Sequence, residues 1–148
     1  MPTSSPPTAD RTELAGELRL LLSRLARRLR QHAVGDLTPS QLSAMSSLDR
    51  AGAVHLGELA RLERVAPPTL TKIVARLEEQ GLVTRRANPR DARSSLVELT
   101  AEGSRALDRI NRARTAFLAE RLEALSDDDR SRLAGALPVL AALLDDDR

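Results

Sequence analysis

The sequence predicts a mostly α-helical fold with one small β-hairpin, and three observations support this prediction. Leucines recur at intervals of three and four residues through most of the chain, which is the spacing of one face of a helix. Two short, largely apolar segments, 82–84 and 96–99, have the length of β-strands. Asn88–Pro89 lies between them and favours a turn, because the proline ring fixes φ. The hairpin therefore interrupts an otherwise helical chain.

The segment before the hairpin predicts a helix from Pro67 to Gln80. Pro67 and Pro68 suit its first turn, where the amide hydrogen that proline lacks has no acceptor within the helix. Gly81 is the residue type that commonly ends a helix. The apolar residues that share one face are Leu70, Ile73, Val74 and Leu77. The polar residues between them therefore face outward.

A short helix starting at Leu56 precedes this one, so the chain order is helix, turn, helix and hairpin. This is the order of a winged helix-turn-helix, in which the second helix enters the major groove of DNA and the hairpin forms the wing. We therefore expect DNA contacts from both elements. The candidate helix residues are Pro67, Pro68, Thr69, Thr71, Lys72 and Arg76, and the candidate wing residues are Arg86, Arg90, Asp91 and Arg93.

Each of these residues has a second interpretation. Exposed polar residues on a helix are usually only solvated, and it is the helix-turn-helix context that favours DNA contact. Arg93 is either a solvated hairpin residue or a contact to the minor groove or the DNA backbone. The second interpretation is favoured because arginine is attracted to a narrow minor groove. The wing segment holds four arginines, at 85, 86, 90 and 93, against the single acid Asp91.

The segments that flank this core predict long helices with more leucines than the core can cover. One helix is expected over about 12–31 and another over 39–50. Thr100 and Ser126 are typical N-cap residues and predict two further helices. We expect some of the leucines to pack against a second copy of the chain. The candidate dimerisation residues are Leu14, Leu18, Leu21, Leu25, Leu133, Leu137, Leu140 and Leu144.

The second strand of the hairpin carries the pattern D-x-R-x-x-x-V-x-L-T, at Asp91, Arg93, Val97, Leu99 and Thr100. The segments LGELA at 56–60 and LEEQGLV at 77–83 precede it. The combination resembles the MarR (multiple antibiotic resistance regulator) family of transcription factors over about residues 11–145. The chain departs from the family at the start of the recognition helix, which is the helix predicted from Pro67 to Gln80. Ala66 stands there in place of the usual Ser or Thr cap.

The resemblance implies a two-fold dimer joined by its N- and C-terminal helices, so the expected architecture is a winged helix-turn-helix lobe plus a helical dimerisation lobe. It also implies that Asp91 holds an arginine side chain through a carboxylate–guanidinium pair, whereas the residue alone is equally typical of a turn. An effector pocket between the two lobes is implied as well. Because Phe117 is the only aromatic residue, such a pocket would be aliphatic and lined by arginine.

The expected organisation is a disordered N-terminal arm over 1–10 and a single domain over 11–148. Within that domain the winged helix-turn-helix core spans about 39–100, and the dimerisation helices span about 11–31 and 101–145. A length of 148 residues with 41% hydrophobic residues fits one domain. The arm lacks the basic and apolar regions of a signal peptide. The longest nearly apolar run, 133–144, is too short to span a bilayer, so we expect a cytoplasmic protein.

Other kinds of site find little support. The chain has no cysteine, which excludes disulfides, thiolate metal sites and thiol-based peroxide sensing. His32 and His55 lack the spacing of metal ligands and are interpreted as surface or packing residues. The run 127–129 is read as negative charge at a helix start, and 145–147 as a solvated tail. No nucleophile elbow, phosphate loop or histidine-centred constellation is present. We therefore expect neither an enzyme nor a cofactor.

The expected function is DNA-binding transcriptional regulation, more specifically repression. The partners expected are double-stranded DNA with a near-palindromic operator, a second copy of the chain, and a small hydrophobic, phenolic or carboxylate effector that releases the DNA; no membrane partner is expected. The alternative is a winged-helix protein-interaction module without sequence-specific DNA binding. The wing arginines disfavour it, because a protein-binding surface more often exposes aromatic side chains.

Overall fold

A computed structural model describes residues 10–32 and 37–144 of the chain. Residues 1–9 of the predicted arm and the acidic run 145–147 lie outside the described residues. The helices are α1 (Arg11–Gln31), α2 (Pro39–Ala51), α3 (Leu56–Glu63), α4 (Pro67–Glu79), α5 (Ala101–Glu123) and α6 (Asp127–Ala141), and the strands are β1 (Val54–His55), β2 (Val83–Asn88) and β3 (Asp91–Leu99). The predicted fold class, mostly helical with a small β-hairpin wing, is confirmed.

The main core lies where α2, α3 and α4 pack against the sheet and α5. Met45, Leu59, Leu70 and Leu77 are each completely buried in it. The apolar stripe predicted for α4 is confirmed, because Leu70, Val74 and Leu77 are buried and Ile73 packs against the same cluster. The second helix of the helix-turn-helix is therefore held by its inner face, and its outer face is left to the surface.

Local sequence explains where these helices begin and end. Thr38 and Gln41 form a reciprocal capping box at the start of α2, with Pro39 in its first turn. α4 starts at Pro67 and its N-cap residue, Ala66, makes no side-chain cap hydrogen bond. The chain leaves α4 through Gly81, whose φ of +70° is readily adopted only by glycine.

The sheet is antiparallel with the strand order β1-β3-β2. The strands of the hairpin run further toward the tip than predicted, because β2 continues through Arg85 and Arg86 to Asn88 and β3 begins at Asp91. The prediction was limited to apolar residues, whereas a strand with one solvent face tolerates charged residues. β1 was not predicted, since two residues are too short to show a periodicity.

A tight junction joins the end of α4, the end of the wing and the start of α5. The Thr100 hydroxyl donates to the Gly81 carbonyl at 2.6 Å, and the Thr100 amide donates to the Leu82 carbonyl at 3.0 Å. Thr100 also caps α5, because its hydroxyl oxygen accepts from the Gly103 amide at 2.9 Å. Gly103 packs so closely that a β-carbon there would overlap the Leu82 carbonyl oxygen. The recognition helix is therefore fixed directly to α5.

The flanking helices contrast with this core. α5 buries Ala106, Leu107 and Ile110 in the main cluster. By comparison, the described residues of α1 and of α6 include none that is buried. Asp10, which was assigned to the N-terminal arm, accepts from the Thr12 amide and caps α1. α1 and α6 thus present most of their leucines to solvent within one chain.

Candidate nucleic-acid interface

The outer face of α4 carries every helix residue predicted to contact DNA. Pro67, Pro68, Thr69, Thr71, Lys72 and Arg76 are all exposed. The Thr71 hydroxyl donates to the Pro67 carbonyl at 2.9 Å, which holds this side chain against the helix. Arg76 pairs with Glu79 at 3.0 Å, one helical turn later. Lys72 lies between them and makes no ion pair with any described residue, so its charge is available to a ligand.

A network of hydrogen bonds between residues close in sequence shapes the tip of the wing. The Asn88 side-chain oxygen accepts from the Arg90 amide at 3.0 Å, and the Asn88 side-chain nitrogen donates to the Ser94 hydroxyl at 3.1 Å. The Asp91 carboxylate accepts from the Arg93 amide at 3.0 Å. These bonds fix the backbone on both sides of the turn. They therefore set the directions in which Arg90 and Arg93 leave the wing.

The Asp91 contact bears on the two roles considered for this residue. Its carboxylate makes the turn hydrogen bond to the Arg93 amide. Within residues 10–32 and 37–144, Asp91 forms no ion pair with an arginine side chain. In the free chain Asp91 therefore shapes the turn, and the arginine-holding role implied by the resemblance is not observed.

Two of the four wing arginines are paired with glutamates. Arg85 contacts Glu78 of α4 at 3.0 Å, and Arg86 contacts Glu98 of β3 at 3.0 Å. Both arginines lie within β2 and not in the turn. Comparing the wing arginines with Asp91 alone overlooked both glutamates, because each lies in a different element from its arginine, 7 and 12 residues away in sequence.

The cations that remain without an ion pair define the basic surface of this lobe. Among the described residues of α4 and the wing, these are Lys72, Arg90 and Arg93, and all three are exposed. The Glu78–Arg85 pair connects the end of α4 with β2, so the helix and the wing are joined by a charge pair as well as by the main chain. Because these cations lie on two neighbouring elements, they can bind a polyanion that carries two rows of negative charge.

The two histidines lie in different surroundings. The rings of His32 and Phe117 pack with their centroids 3.9 Å apart, and the Arg121 guanidinium carbon lies 3.4 Å from the centroid of the Phe117 ring. His55 contacts the Asn88 side chain at 3.4 Å. In the part of the chain that the structure describes, no three acidic or histidine side chains are grouped to hold a metal ion, and no helix is long and apolar enough to cross a membrane.

A cavity of about 280 Å³ lies between α1, α2 and α5. It is lined by Arg30, Arg50 and Arg114, by the hydroxyl residues Ser43 and Ser46, and by Pro39 and Leu42. The Nε atom of Arg114 is buried and has no hydrogen-bond partner. Burial lowers the pKa of Arg114, and the nearby charge of Arg30 lowers it further. The cavity is thus arginine-lined and partly aliphatic, and it would stabilise an anion.

Comparison with known proteins agrees with this geometry. The MarR family model matches residues 37–95. An HTH-type transcriptional regulator of Mycobacterium leprae is 40% identical over 116 residues, which cover 78% of this chain and 81% of that protein. The HTH-type transcriptional repressor MdtR of Bacillus subtilis is 27% identical, and the match covers 78% of each chain.

The fold is also found in solved structures. One protein from Pseudomonas aeruginosa is 36% identical and superposes with a TM-score of 0.83, covering 94% of this chain and 99% of that one. One assignment follows from the winged helix, from the exposed cations of α4 and the wing, and from these matches. The chain belongs to the MarR family of DNA-binding transcriptional regulators.

Proposed function

We propose that this protein is a homodimeric repressor that binds a near-palindromic operator. In this proposal α4 of each protomer lies in the major groove and each wing lies along the adjacent minor groove or backbone. The observation that carries the proposal is the set of exposed cations without ion pairs, Lys72 on α4 and Arg90 and Arg93 on the wing. Such cations bind phosphate by releasing counterions.

The apolar surface of α1 and α6 supports the dimer. The candidate dimerisation leucines at 14, 21, 25, 133, 137 and 144 are exposed, with Leu144 at 82% and Leu21 at 63%, while Leu18 and Leu140 are half-buried. Soluble monomers rarely expose so many large apolar side chains along whole helices. A second copy of the same helices would cover them, since a two-fold interface is self-complementary.

The two-fold symmetry leads to the expected form of the operator. A dimer that places both recognition helices on one face of the duplex requires half-sites about 10 base pairs apart, or one helical turn. Repression follows if such a dimer covers a promoter and excludes the polymerase. The relative from Bacillus subtilis that is named a repressor supports this direction of regulation.

Fragments of DNA selected by the purified protein would test operator binding directly. We expect the selected fragments to share an inverted repeat, and binding to weaken steeply between two salt concentrations in gel shifts. Sedimentation should show a dimer at micromolar concentration. A folded monomer of 16.1 kDa, or fragments without a shared sequence, would contradict the proposal, and the second result would favour a protein-interaction module.

Lys72 offers a sharper probe of the recognition helix, because it is the only lysine in the chain. An amine-acylating reagent should modify Lys72 and the N-terminal amine in the free protein, and mass spectrometry can quantify both. Bound operator should protect Lys72 and leave the N-terminal amine reactive, which provides an internal control. Equal modification of Lys72 with and without operator would place α4 outside the DNA interface.

The arginine-lined cavity supports control by a small carboxylate or phenol. We propose that such an effector binds beside Arg114, where the buried Nε atom lacks a partner, and favours a dimer whose recognition helices are incorrectly spaced. Salicylate at millimolar concentration should weaken operator binding, and Arg114→Leu should abolish this response. Unchanged operator affinity in salicylate, with no binding heat in calorimetry, would remove the effector from the proposal.

A further inference from the structure

The pair of Arg86 and Glu98 lies on the outer face of the wing sheet. The register aligns Arg86 with Leu96 and Thr84 with Glu98. Residues two apart on a strand share a face, so Glu98 is the diagonal neighbour of Arg86. The Arg86 Nε atom lies 3.0 Å from a Glu98 carboxylate oxygen, and the two side chains are 46% and 34% exposed.

This register draws the Arg86 guanidinium toward the base of the wing. The tip is the turn at 88–91, and Glu98 lies at the opposite end of β3, one residue before the strand ends at Leu99. Arg90 and Arg93 are at or beside the tip and pair with no described carboxylate. β2 thus carries two arginines that are held by glutamates, while the turn and β3 carry two arginines without ion pairs to described residues.

We propose that Glu98 is an internal competitor for Arg86 that limits DNA binding, because its carboxylate holds the guanidinium that a DNA phosphate would otherwise bind. This inference rests on the proposed DNA-binding function. A phosphate can replace the carboxylate only where the backbone lies within hydrogen-bond distance of the guanidinium. A phosphate of either duplex must therefore displace Glu98 before it can bind Arg86.

The expected size of the effect follows from the exposure of the pair. An ion pair this accessible changes an equilibrium by up to about fivefold. Each additional phosphate contact increases the dependence of log affinity on log salt by about 0.9. Removing the Glu98 carboxylate should therefore strengthen DNA binding, whereas a merely structural residue would weaken binding when it is changed.

The experiment is a double-mutant cycle with the full-length wild type, Glu98→Gln, Arg86→Ala and the double variant. Each protein is titrated with a random-sequence duplex and with the selected operator at several salt concentrations. We expect Glu98→Gln to tighten binding to the random duplex two- to fivefold with a steeper salt dependence. The gain on the operator should be at least as large, because the wild type must break the pair there to bind the phosphate, so the specificity ratio should not fall. In the Arg86→Ala background the same change should have no effect.

Glu58→Gln is the matched control for loss of one negative charge. Glu58 is exposed and forms no ion pair with a described residue, and it lines one surface cavity together with Arg86. If Glu58→Gln tightens non-specific binding as much as Glu98→Gln, or if the Glu98→Gln gain persists without Arg86, general repulsion explains the result and the inference is wrong. A loss of affinity in Glu98→Gln, with unchanged thermal unfolding, would also overturn it.

The proposed function and this inference can fail separately. If the wild type binds neither duplex, both are overturned. If the wild type binds the operator specifically but the Glu98 and Arg86 changes are additive, only the role of Glu98 is overturned.

Discussion

Leucines with the same helical spacing are buried in the winged helix-turn-helix lobe and exposed in the flanking helices. Leu70 and Leu77 of α4 are fully buried within the chain. Leu14 and Leu21 of α1, at the corresponding spacing of seven residues, are 55% and 63% exposed. Periodicity shows that a helix has an apolar face, but it does not show what covers that face. The first lobe is covered by its own chain, and we propose that the second is covered by another copy.

Replacing one leucine by alanine in each region should separate the two cases, with the largest effect in the core. Leu77→Ala leaves a cavity among fully packed residues and should lower the free energy of unfolding by about 2–5 kcal/mol. This loss should be the same at every protein concentration above that needed for dimerisation. Urea unfolding monitored by circular dichroism would measure it.

Leu137→Ala is the matched change, because Leu137 is 59% exposed within one chain. If α6 packs against a second copy, this variant should shift the equilibrium toward monomer. Where the variant dissociates, its unfolding midpoint should be lower and should depend less on protein concentration than that of the wild type, because association stabilises only the chains that are dimeric. If Leu137→Ala changed neither sedimentation nor stability, the α6 leucines would not belong to the dimer interface.

Sequence alone was sufficient for the helices because their boundaries are marked chemically. Proline in the first turn and glycine after the last turn delimit α4, which was predicted from Pro67 to Gln80 and observed from Pro67 to Glu79. The threonine caps of α2 and α5 are equally local signals. Such signals act over three or four residues, so they can be read without knowing the tertiary structure.

Sequence alone was not sufficient for the charges of the candidate DNA surface. The Arg76–Glu79 pair has helical spacing and was accessible to sequence reasoning. The pairs of Arg85 and Arg86 depend on the packing of α4 beside β2 and on the strand register, which no local pattern specifies. The basic character of the wing was therefore predicted, but which of its arginines are unpaired was not.

The junction between the two regions should be nearly as sensitive as the core. A β-carbon at Gly103 would overlap the Leu82 carbonyl oxygen, so Gly103→Ala must shift the main chain where α4, the wing and α5 meet. We expect a loss of about 1–3 kcal/mol in the free energy of unfolding. Chemical denaturation measures the loss, and gel shifts should show weaker operator binding if the junction positions α4.

Gly57 provides the control for this change, because a β-carbon there would meet no atom within 4 Å. Gly57→Ala lies in helix α3 and should leave stability unchanged or raise it by up to about 1 kcal/mol. Equal losses at Gly57 and Gly103 would show that the close approach at the junction is not the cause.

Substitutions of the DNA-contact residues should weaken DNA binding without altering the dimer, unlike substitutions of the leucines of α1 and α6. Arg93→Ala removes an unpaired wing cation and should weaken operator and random DNA alike, with a salt slope reduced by up to about one. Arg76→Ala should cost about 1–3 kcal/mol only at particular base pairs, if its side chain reaches a guanine edge. Wild-type affinity in both variants, while they remain folded dimers, would mean that the wing and helix assignments are wrong.

The smallest expected effect concerns Glu102, in the first turn of the helix that connects the two regions. Hydrogen bonds from Arg105 and then Arg109 lower the pKa of Glu102, and slight desolvation opposes them. A carboxylate whose pKa is lower in the folded state contributes stability above its unfolded-state pKa and loses that contribution as pH falls through the folded-state pKa. Because the Glu102 side chain is well exposed, solvent and salt should keep the contribution small. Unfolding of Glu102→Gln and wild type should therefore differ slightly at pH 6 and converge as the pH falls through the folded-state pKa of Glu102. Glu120→Gln removes an exposed carboxylate of the same helix that has no ion pair among the described residues, so it controls for net charge. A difference between Glu102→Gln and wild type that stayed constant over the same fall in pH would show that these arginine contacts do not stabilise the ionised carboxylate.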